Sequence, residues 1–415
     1  MNKIIRNILG AVILLLVLVY FYHTLGVIWN HPRDLQWDFK IYYYAGKAYD
    51  QGLDPYVRDN LVQASGKKFW LHFVYPPLTL AFLKFLPKVD FETGCKIWLI
   101  LKVLSLAALV FVWKRFFLRN TSLLLMIPIT LFAFDAAVFT DFKAGNISVF
   151  EQLFVWSALV ALLKNRKMPF VLLILACSMF KISLATFMFL LIALESPQKW
   201  RWLAAGLSCV AVIAAANYFL MPQLFHSFMS NLQFLGERAE NLNFSMLAFW
   251  EDFFTSIGFI KRLEIDMYLA YIGYALTSIA VAFISIQSYI RFRNRGDKNN
   301  IVFTILFFCC TYALIMPRLK NYSYILLIPA LLYLFSYIKT QRFVYLLIPL
   351  VLIPVSTPLL ESRTVDQFFL YYPLFLVFVI WLYFNSACNE TAGMKIAADS
   401  TVETRGFAGD PPDGD

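Results

Sequence analysis

The sequence predicts an all-α polytopic membrane protein, and three observations predict it. Of 415 residues, 60% are hydrophobic and only 15% are charged, against about 25% charged in soluble domains. The mean hydropathy of +0.66 is carried by repeated apolar runs, many near the roughly 20 residues that a helix needs to cross hydrocarbon. The basic residues cluster in short loops between those runs, as membrane topology demands. The net charge of +10 therefore reflects topology and gives no reason to expect a nucleic-acid partner. The 42 phenylalanines suit lipid-facing and interfacial surfaces.

The chain begins M-N-K-I-I-R and runs apolar to Ile28. That start is like a signal peptide, but the run is too long and no small-x-small cleavage site follows. Residues 7–29 thus read as an uncleaved first span. Further apolar runs lie at 73–87, 92–113, 121–139, 147–164, 168–194, 200–220, 266–290, 300–316, 322–338, 343–357 and 367–385. Five basic loops separate some of them: Lys114/Arg115/Arg119, Lys164/Arg166/Lys167, Lys199/Arg201, Arg291/Arg293/Arg295/Lys298 and Lys339/Arg342. Such loops belong in the cytoplasm.

One crossing per run does not satisfy that rule, and two adjustments do. The run 73–87 is too short and carries prolines and Lys84, so it lies at or dips into the outer face. The run 168–194 is too long and holds Lys181 near its middle, where a lysine costs about 3 kcal/mol. Split at Lys181, it gives two short helices that meet near the outer face. All five basic loops and both termini then fall inside, with about twelve crossings. Residues 1–385 form one transmembrane domain, with outer loops at 30–91 and 222–256. The first outer loop carries helical, juxtamembrane segments. Residues 386–415 end in G-D-P-P-D-G-D and are expected to be a disordered cytoplasmic tail.

The polar stretch Trp29–Pro77 stands apart from this apolar background, with Asp34, Asp38, Asp50, Asp54 and Asp59 set among aromatic residues. Asp38 opens the helical run D-F-K-I-Y-Y-Y-A-G-K-A-Y, so it sits at a helix N-terminus, where the ionised form is favoured. It reads as a general base or as a helix cap. Asp54, in G-L-D-P-Y, is a site residue or a plain turn aspartate. Tyr42, Tyr43 and Tyr44 cannot all face one way on a helix; one or two line a substrate pocket and the others meet lipid or protein at the interface. His72 and Tyr75 contact a substrate or pack at the interface.

The predicted topology gathers further polar groups on the same outer side: Asp141, Lys181, the loop 222–256, the Arg318–Lys320 corner and the loop 358–366. A cation at a membrane edge binds a lipid phosphate, and a nearby carboxylate takes a proton from a hydroxyl. Lys181, Arg318 and Lys320 read either as phosphate ligands or as snorkelling and headgroup-contacting side chains. Asp141 reads as a site residue or a solvated loop aspartate beside Lys143. The amphipathic loop 222–256 is a lid or a passive surface helix. The six cysteines form no C-x-x-C pair and the four histidines no H-x-x-x-H pair, so neither a disulfide framework nor a metal site is expected. There is no G-x-x-x-x-G-K-[ST] loop, which argues against an ATP-driven pump. No internal repeat is evident, which weighs against a secondary transporter.

The run D-F-K-I-Y-Y-Y-A-G-K-A-Y-D-Q-G-L-D-P-Y followed by F-V-Y-P-P-L resembles the signature of glycosyltransferase family 87. The resemblance rests on Asp38, Tyr42–Tyr44, Gly52, Pro55, Tyr56, Tyr75, Pro76 and Pro77, dense over about 50 residues and diffuse beyond. It implies a GT-C-type fold and a metal-independent, cofactor-free, inverting transfer on the outer face, with Asp38 as general base. The implied donor is polyprenol-phosphate mannose or a related lipid-linked sugar, and the acceptor a lipid or glycan. Lys181 in F-K-I-S resembles the family's lysine between two short helices. Gly145-Asn146-Ile147-Ser148 is similar to its Gly-Gln-x-Asn turn, with Asn146 and Ser148 in place of Gln and Asn. The corner M-P-R-L-K-N-Y-S-Y resembles a late Pro-Arg-x-Lys-x-Tyr form, which brings in Tyr322. The corner lacks the histidine of mycobacterial mannosyltransferase relatives.

The leading expectation is thus a hexosyltransferase of a bacterial inner membrane. Its alternatives are a lipid-linked glycan flippase and a polymerase or ligase of lipid-linked glycans. A flippase needs polar residues along a path through several helices, whereas here the intramembrane charges lie toward one face.

Overall fold

The computed structural model describes residues 3–67, 72–194, 198–233, 242–257, 263–294, 301–337 and 370–389. Among these residues the secondary structure is helical, apart from one isolated antiparallel bridge between Asn243 and Lys320. The expected run 343–357, the loop 358–366, Lys339 and Arg342, Arg295 and Lys298, part of the loop 222–256 and all of the tail from 390 lie outside the described residues.

The long first helix α1 (Lys3–Asn30) leads into a folded loop. That loop holds α2 (Trp37–Asp50), α3 (Arg58–Ser65) and the short α4 (Leu80–Leu83). The run 73–87 forms only single turns, because Pro76 and Pro77 open it and Pro87 interrupts it. The bundle continues with α5 (Phe91–Val112), extended by a π-helical turn over Trp113–Phe117, and then α6 (Leu123–Ala144). Helix α6 is interrupted at 133–136, where Phe134, Asp135 and Ala136 take left-handed backbone angles. Next come α7 (Ser148–Leu163) and α8 (Lys167–Ser178). A 3-10 segment over Ile182–Phe189 then leads into α9 (Leu190–Ala193).

The second half holds α10 (Lys199–Leu220), α11 (Pro222–Gln233), α12 (Met246–Ile257) and α13 (Leu263–Asn294). Helix α14 (Ile301–Ile315), a 3-10 segment over Asn321–Leu327, α15 (Ile328–Tyr337) and α16 (Tyr372–Asn389) complete it. The last helix runs to Asn389, past the expected boundary at 385.

Among the described residues, five helices are long and apolar enough to cross a membrane: Gly10–Asn30, Phe91–Phe117, Leu123–Ala144, Lys199–Leu220 and Met267–Asn294. Six shorter apolar helices accompany them. Among the described residues, this is fewer full-length spans than the twelve expected from hydropathy. The run 168–194 is divided by an extended Lys181 (φ −141°, ψ 92°), as expected, and the run 322–338 begins as a 3-10 segment. The protein is a multi-pass membrane protein. Leu276, Ile279 and Phe283 on α13, and Leu15 and Leu16 on α1, are exposed, as lipid-facing side chains are.

Two cores support the architecture. The larger one gathers buried residues from α5–α8, α14, α15, the 3-10 segments and α16. The smaller one lies in the loop between α1 and α5 and includes Phe39, Tyr42, Tyr43, Tyr56, Phe73 and Leu83. The loop is therefore a packed unit in its own right. Its tightest contact is Gly46, where a Cβ would lie 2.3 Å from the Leu83 carbonyl oxygen, so α2 rests directly on α4.

Candidate active site

The placement of Asp38 begins with the chain that enters α2. Gln36 is left-handed (φ 53°) and is the N-cap residue, so Asp38 falls in the first turn and is not the cap. The Gln36 backbone N–H donates to the Lys143 carbonyl at 2.6 Å, which docks the start of α2 on the end of α6. Helix α6 ends at Gly145 in the left-handed conformation (φ +66°), a backbone that suits glycine. A Cβ there would lie 2.9 Å from Phe39 Cβ and 3.0 Å from Gln36 Cβ. This close fit brings Asn146 to the catalytic candidate. Its Nδ2 donates to Asp38 Oδ2 at 2.7 Å and to the Tyr42 hydroxyl at 3.2 Å. Its Oδ1 accepts from Ser148 N–H at 2.9 Å and from Ser148 Oγ at 2.8 Å, which fixes the carboxamide orientation.

A cavity of about 450 Å³ opens beside Asp38. The loop between α1 and α5 contributes Tyr42, His72 and Tyr75 to its lining. The break after α8 contributes Lys181 and Ser183, and the corner after α14 contributes Arg318, Lys320 and Tyr322. Asn146, Ser148 and Glu151 line it as well. Phe228 and Leu232 of α11 contribute apolar edges. Two carboxylates and three cations therefore share one space at one end of the bundle.

The cations are held by built contacts. Lys181 Nζ donates to Ser323 Oγ at 2.9 Å and lies 3.6 Å from Glu151 Oε1. The corner is strapped by residues 242–245. Phe244 N–H donates to the Leu319 carbonyl, Asn321 N–H donates to the Leu242 carbonyl, and Ser245 Oγ donates to the Pro317 carbonyl at 2.6 Å. Leu319 is buried, while Arg318 and Lys320 on either side of it reach the cavity.

The hydroxyls of Tyr42 and Tyr75 are 2.9 Å apart. Burial pushes both phenols above their usual range, and the nearby Asp38 charge adds to the shift. They are neutral hydrogen-bonding groups across the physiological range.

Of the residues singled out in the sequence, Asp38, Tyr42, His72, Tyr75, Asn146, Lys181, Arg318, Lys320 and Tyr322 line the cavity. Four do not. Tyr43 turns away from Tyr42, donates to the Val89 carbonyl at 2.8 Å and packs on Phe91. Asp54 closes its own turn by accepting from Tyr56 N–H at 2.9 Å, and its other oxygen accepts from Ser227 Oγ at 2.6 Å. Tyr56 is buried and donates to the Tyr75 carbonyl. Asp141 is not a solvated loop residue: it is fully buried in α6, 2.6 Å from Lys102 Nζ. Lys143 beside it is instead tied through its carbonyl to Gln36.

The sequence reading passed over Lys102 and Glu151, both set inside apolar runs. An ionisable residue within a span is a functional candidate by default, and that rule, applied to Lys181 alone, would have flagged them. Among the described residues no three His, Cys, Asp or Glu side chains cluster to hold a metal ion.

Neither the curated proteins nor the solved structures give a match to the chain. A family profile does match, that of glycosyltransferase family 87, over residues 73–317. The match takes in the Tyr-Pro-Pro segment, the Gly145 turn and Lys181, and stops just short of Arg318. Asp38 precedes it, and the fold carries Asp38 onto the matched region through Asn146. With more than half of its length matched, and an acid and several cations gathered in one cavity, the chain belongs to glycosyltransferase family 87 and is a membrane glycosyltransferase.

Proposed function

We propose that the protein transfers one sugar, mannose, from a polyprenyl phosphate to a hydroxyl of a lipid or glycan acceptor, with inversion. The reaction takes place on the outer face of a bacterial inner membrane, with both termini in the cytoplasm. The observation that carries this reading is the shared cavity, lined by Asp38 together with Lys181, Arg318 and Lys320. In this mechanism the acceptor oxygen attacks the anomeric carbon and the bond from that carbon to the phosphate oxygen breaks. The electron pair leaves with polyprenyl phosphate, and the hydroxyl proton passes to the Asp38 carboxylate. The leaving phosphate gains negative charge, which the three cations stabilise more strongly in the transition state than in the bound donor. Asn146 orients the base, and the neutral Tyr42–Tyr75 pair offers hydroxyls to the sugar.

The test uses full-length protein in proteoliposomes of bacterial lipid extract. A panel of synthetic polyprenyl-phosphate sugars is supplied and products are identified by mass spectrometry. The wild type forms a mannosylated product with inverted configuration; Asp38→Asn binds donor and forms none. Full transfer by Asp38→Asn removes the base assignment. Movement of intact donor between leaflets, with no transfer product from any sugar in the panel, supports a flippase instead.

A further inference from the structure

The polar cluster of Lys102, Asp141 and Trp98 lies behind the cavity, and none of the three lines it. Lys102 is fully buried midway along α5. Its ammonium donates to the Asp141 carbonyl at 2.6 Å and to the Asn146 carbonyl at 2.7 Å, and forms an ion pair with Asp141 Oδ2 at 2.6 Å. The two carbonyls are backbone oxygens where α6 ends and the turn begins; that of Asp141, in the last turn of α6, also accepts from the Asn146 N–H at 3.1 Å. A cation also complements the negative end of the helix dipole. One helical turn earlier on α5, Trp98 Nε1 donates to the Gly145 carbonyl at 2.9 Å. From a single face of α5, two side chains thus grip successive carbonyls of the turn that presents Asn146.

We propose that Lys102 and Trp98 are positioning residues for the base. They act through the Gly145–Asn146 turn, setting the Asn146 carboxamide that donates to Asp38 Oδ2. The inference rests on Asp38 acting as the base. It assigns a functional role to a buried ion pair whose net effect on stability need not be favourable. Removing either charge alone strands the other in the interior, whereas replacing both with apolar side chains does not. The informative variant is therefore Lys102→Met with Asp141→Leu, which leaves the local net charge unchanged. The other charged or titratable groups around Asp38 also stay in place. These are Tyr42, His72 and Tyr75 from the loop between α1 and α5, Glu151 from α7, and Lys181, Arg318, Lys320 and Tyr322 from the later segments.

The experiment measures the transfer rate against pH in the proteoliposome assay for the wild type, the double variant, Trp98→Phe and Asp38→Asn. A hydrogen bond to a carboxylate favours its ionised form, so loosening the turn moves the acidic limb of the profile to higher pH. The double variant is expected to lose on the order of 10–100-fold in rate, as small misplacements of a reacting group do. Its acidic limb moves up by about one unit. Trp98→Phe keeps the ring packing, loses the bond to Gly145, and moves the limb in the same direction by less. Wild-type rate and limb in the folded double variant overturn the proposal. Should that variant fail to fold, an unmoved limb in Trp98→Phe overturns it. If Asp38→Asn retains turnover, the reading of the base itself fails; if only the positioning variants behave as wild type, this inference fails alone.

Discussion

Replacing Gly145 with alanine separates the geometry of the site from ordinary backbone strain, because the molecule contains a matched control. Gly145 ends α6 at φ +66°, and Gly66 ends α3 at φ +69°. An alanine at either position pays about 1–2 kcal/mol for the left-handed conformation. At Gly66 the added Cβ meets nothing within 4 Å. At Gly145 it meets Phe39 Cβ at 2.9 Å, Gln36 Cβ at 3.0 Å and Gln36 Cα at 3.2 Å. Two of those atoms belong to a residue that is itself tied by its backbone to Lys143, so the contact cannot be relieved by a side-chain rotation. The overpacking adds about 1–3 kcal/mol, for a total near 2–5 kcal/mol at Gly145 against about 1–2 at Gly66. Relief requires α2 to move away from the turn, which lengthens the 2.7 Å bond between Asn146 and Asp38. A displacement approaching 1 Å costs on the order of 10²-fold in rate. The assays are denaturation midpoint in detergent and turnover in proteoliposomes. Gly145→Ala is expected to lower both, and Gly66→Ala to lower the midpoint slightly with turnover intact. Equal behaviour of the two variants would refute the claim that the close approach of α2 to this turn sets the base.

Three further outcomes follow from the same geometry. Lys181→Ala removes one of the groups that face the leaving phosphate and is expected to reduce kcat/KM for donor by about 10²–10³-fold; unchanged kcat/KM would contradict its role. Asp54→Asn disturbs a turn and the contact to Ser227, outside the cavity. It should lower the denaturation midpoint while turnover persists, and loss of turnover in a stable variant would return Asp54 to the site. Tyr75 is raised by burial above its ordinary value of 10.0, and Tyr42 likewise. The stability they confer is fully present below about pH 10, the unfolded phenol value, and is lost as pH rises beyond it. The midpoint measured against pH should thus be insensitive to these phenols up to about pH 10. A drop near neutrality that Tyr75→Phe abolishes would refute the assignment.

Much of the fold was legible because a bilayer imposes a simple rule on hydropathy. The break at Lys181 is a case in point: a lysine inside an apolar run predicted an interruption, and the chain is extended there. The grouping of Asp38 with the late corner came from loop polarity and sidedness, which depend on sequence order alone. Other features depend on which helices pack together, and no local pattern carries that. Asp141 was read against its neighbour Lys143, yet its partner is Lys102, on another helix and 39 positions earlier. Glu151 meets Lys181 across two elements. The three consecutive tyrosines illustrate the limit within one helix. Periodicity required them to diverge, but only the packing of Tyr43 on Phe91 and of Tyr42 on Tyr75 decides which one faces the cavity. The continuity of the helices was the least legible feature, since 3-10 segments and the interruption in α6 at 133–136 leave hydropathy almost unchanged.

The account's central claim is that one cavity holds the acid and the phosphate-binding cations together around the donor. The most direct measurement is a cryo-EM structure of Asp38→Asn with polyprenyl-phosphate mannose bound. The account predicts the donor phosphate within hydrogen-bonding distance of Lys181, Arg318 or Lys320, and the anomeric carbon turned toward position 38. A phosphate seated away from all three cations, or a sugar on the far side of the bundle from position 38, would contradict it.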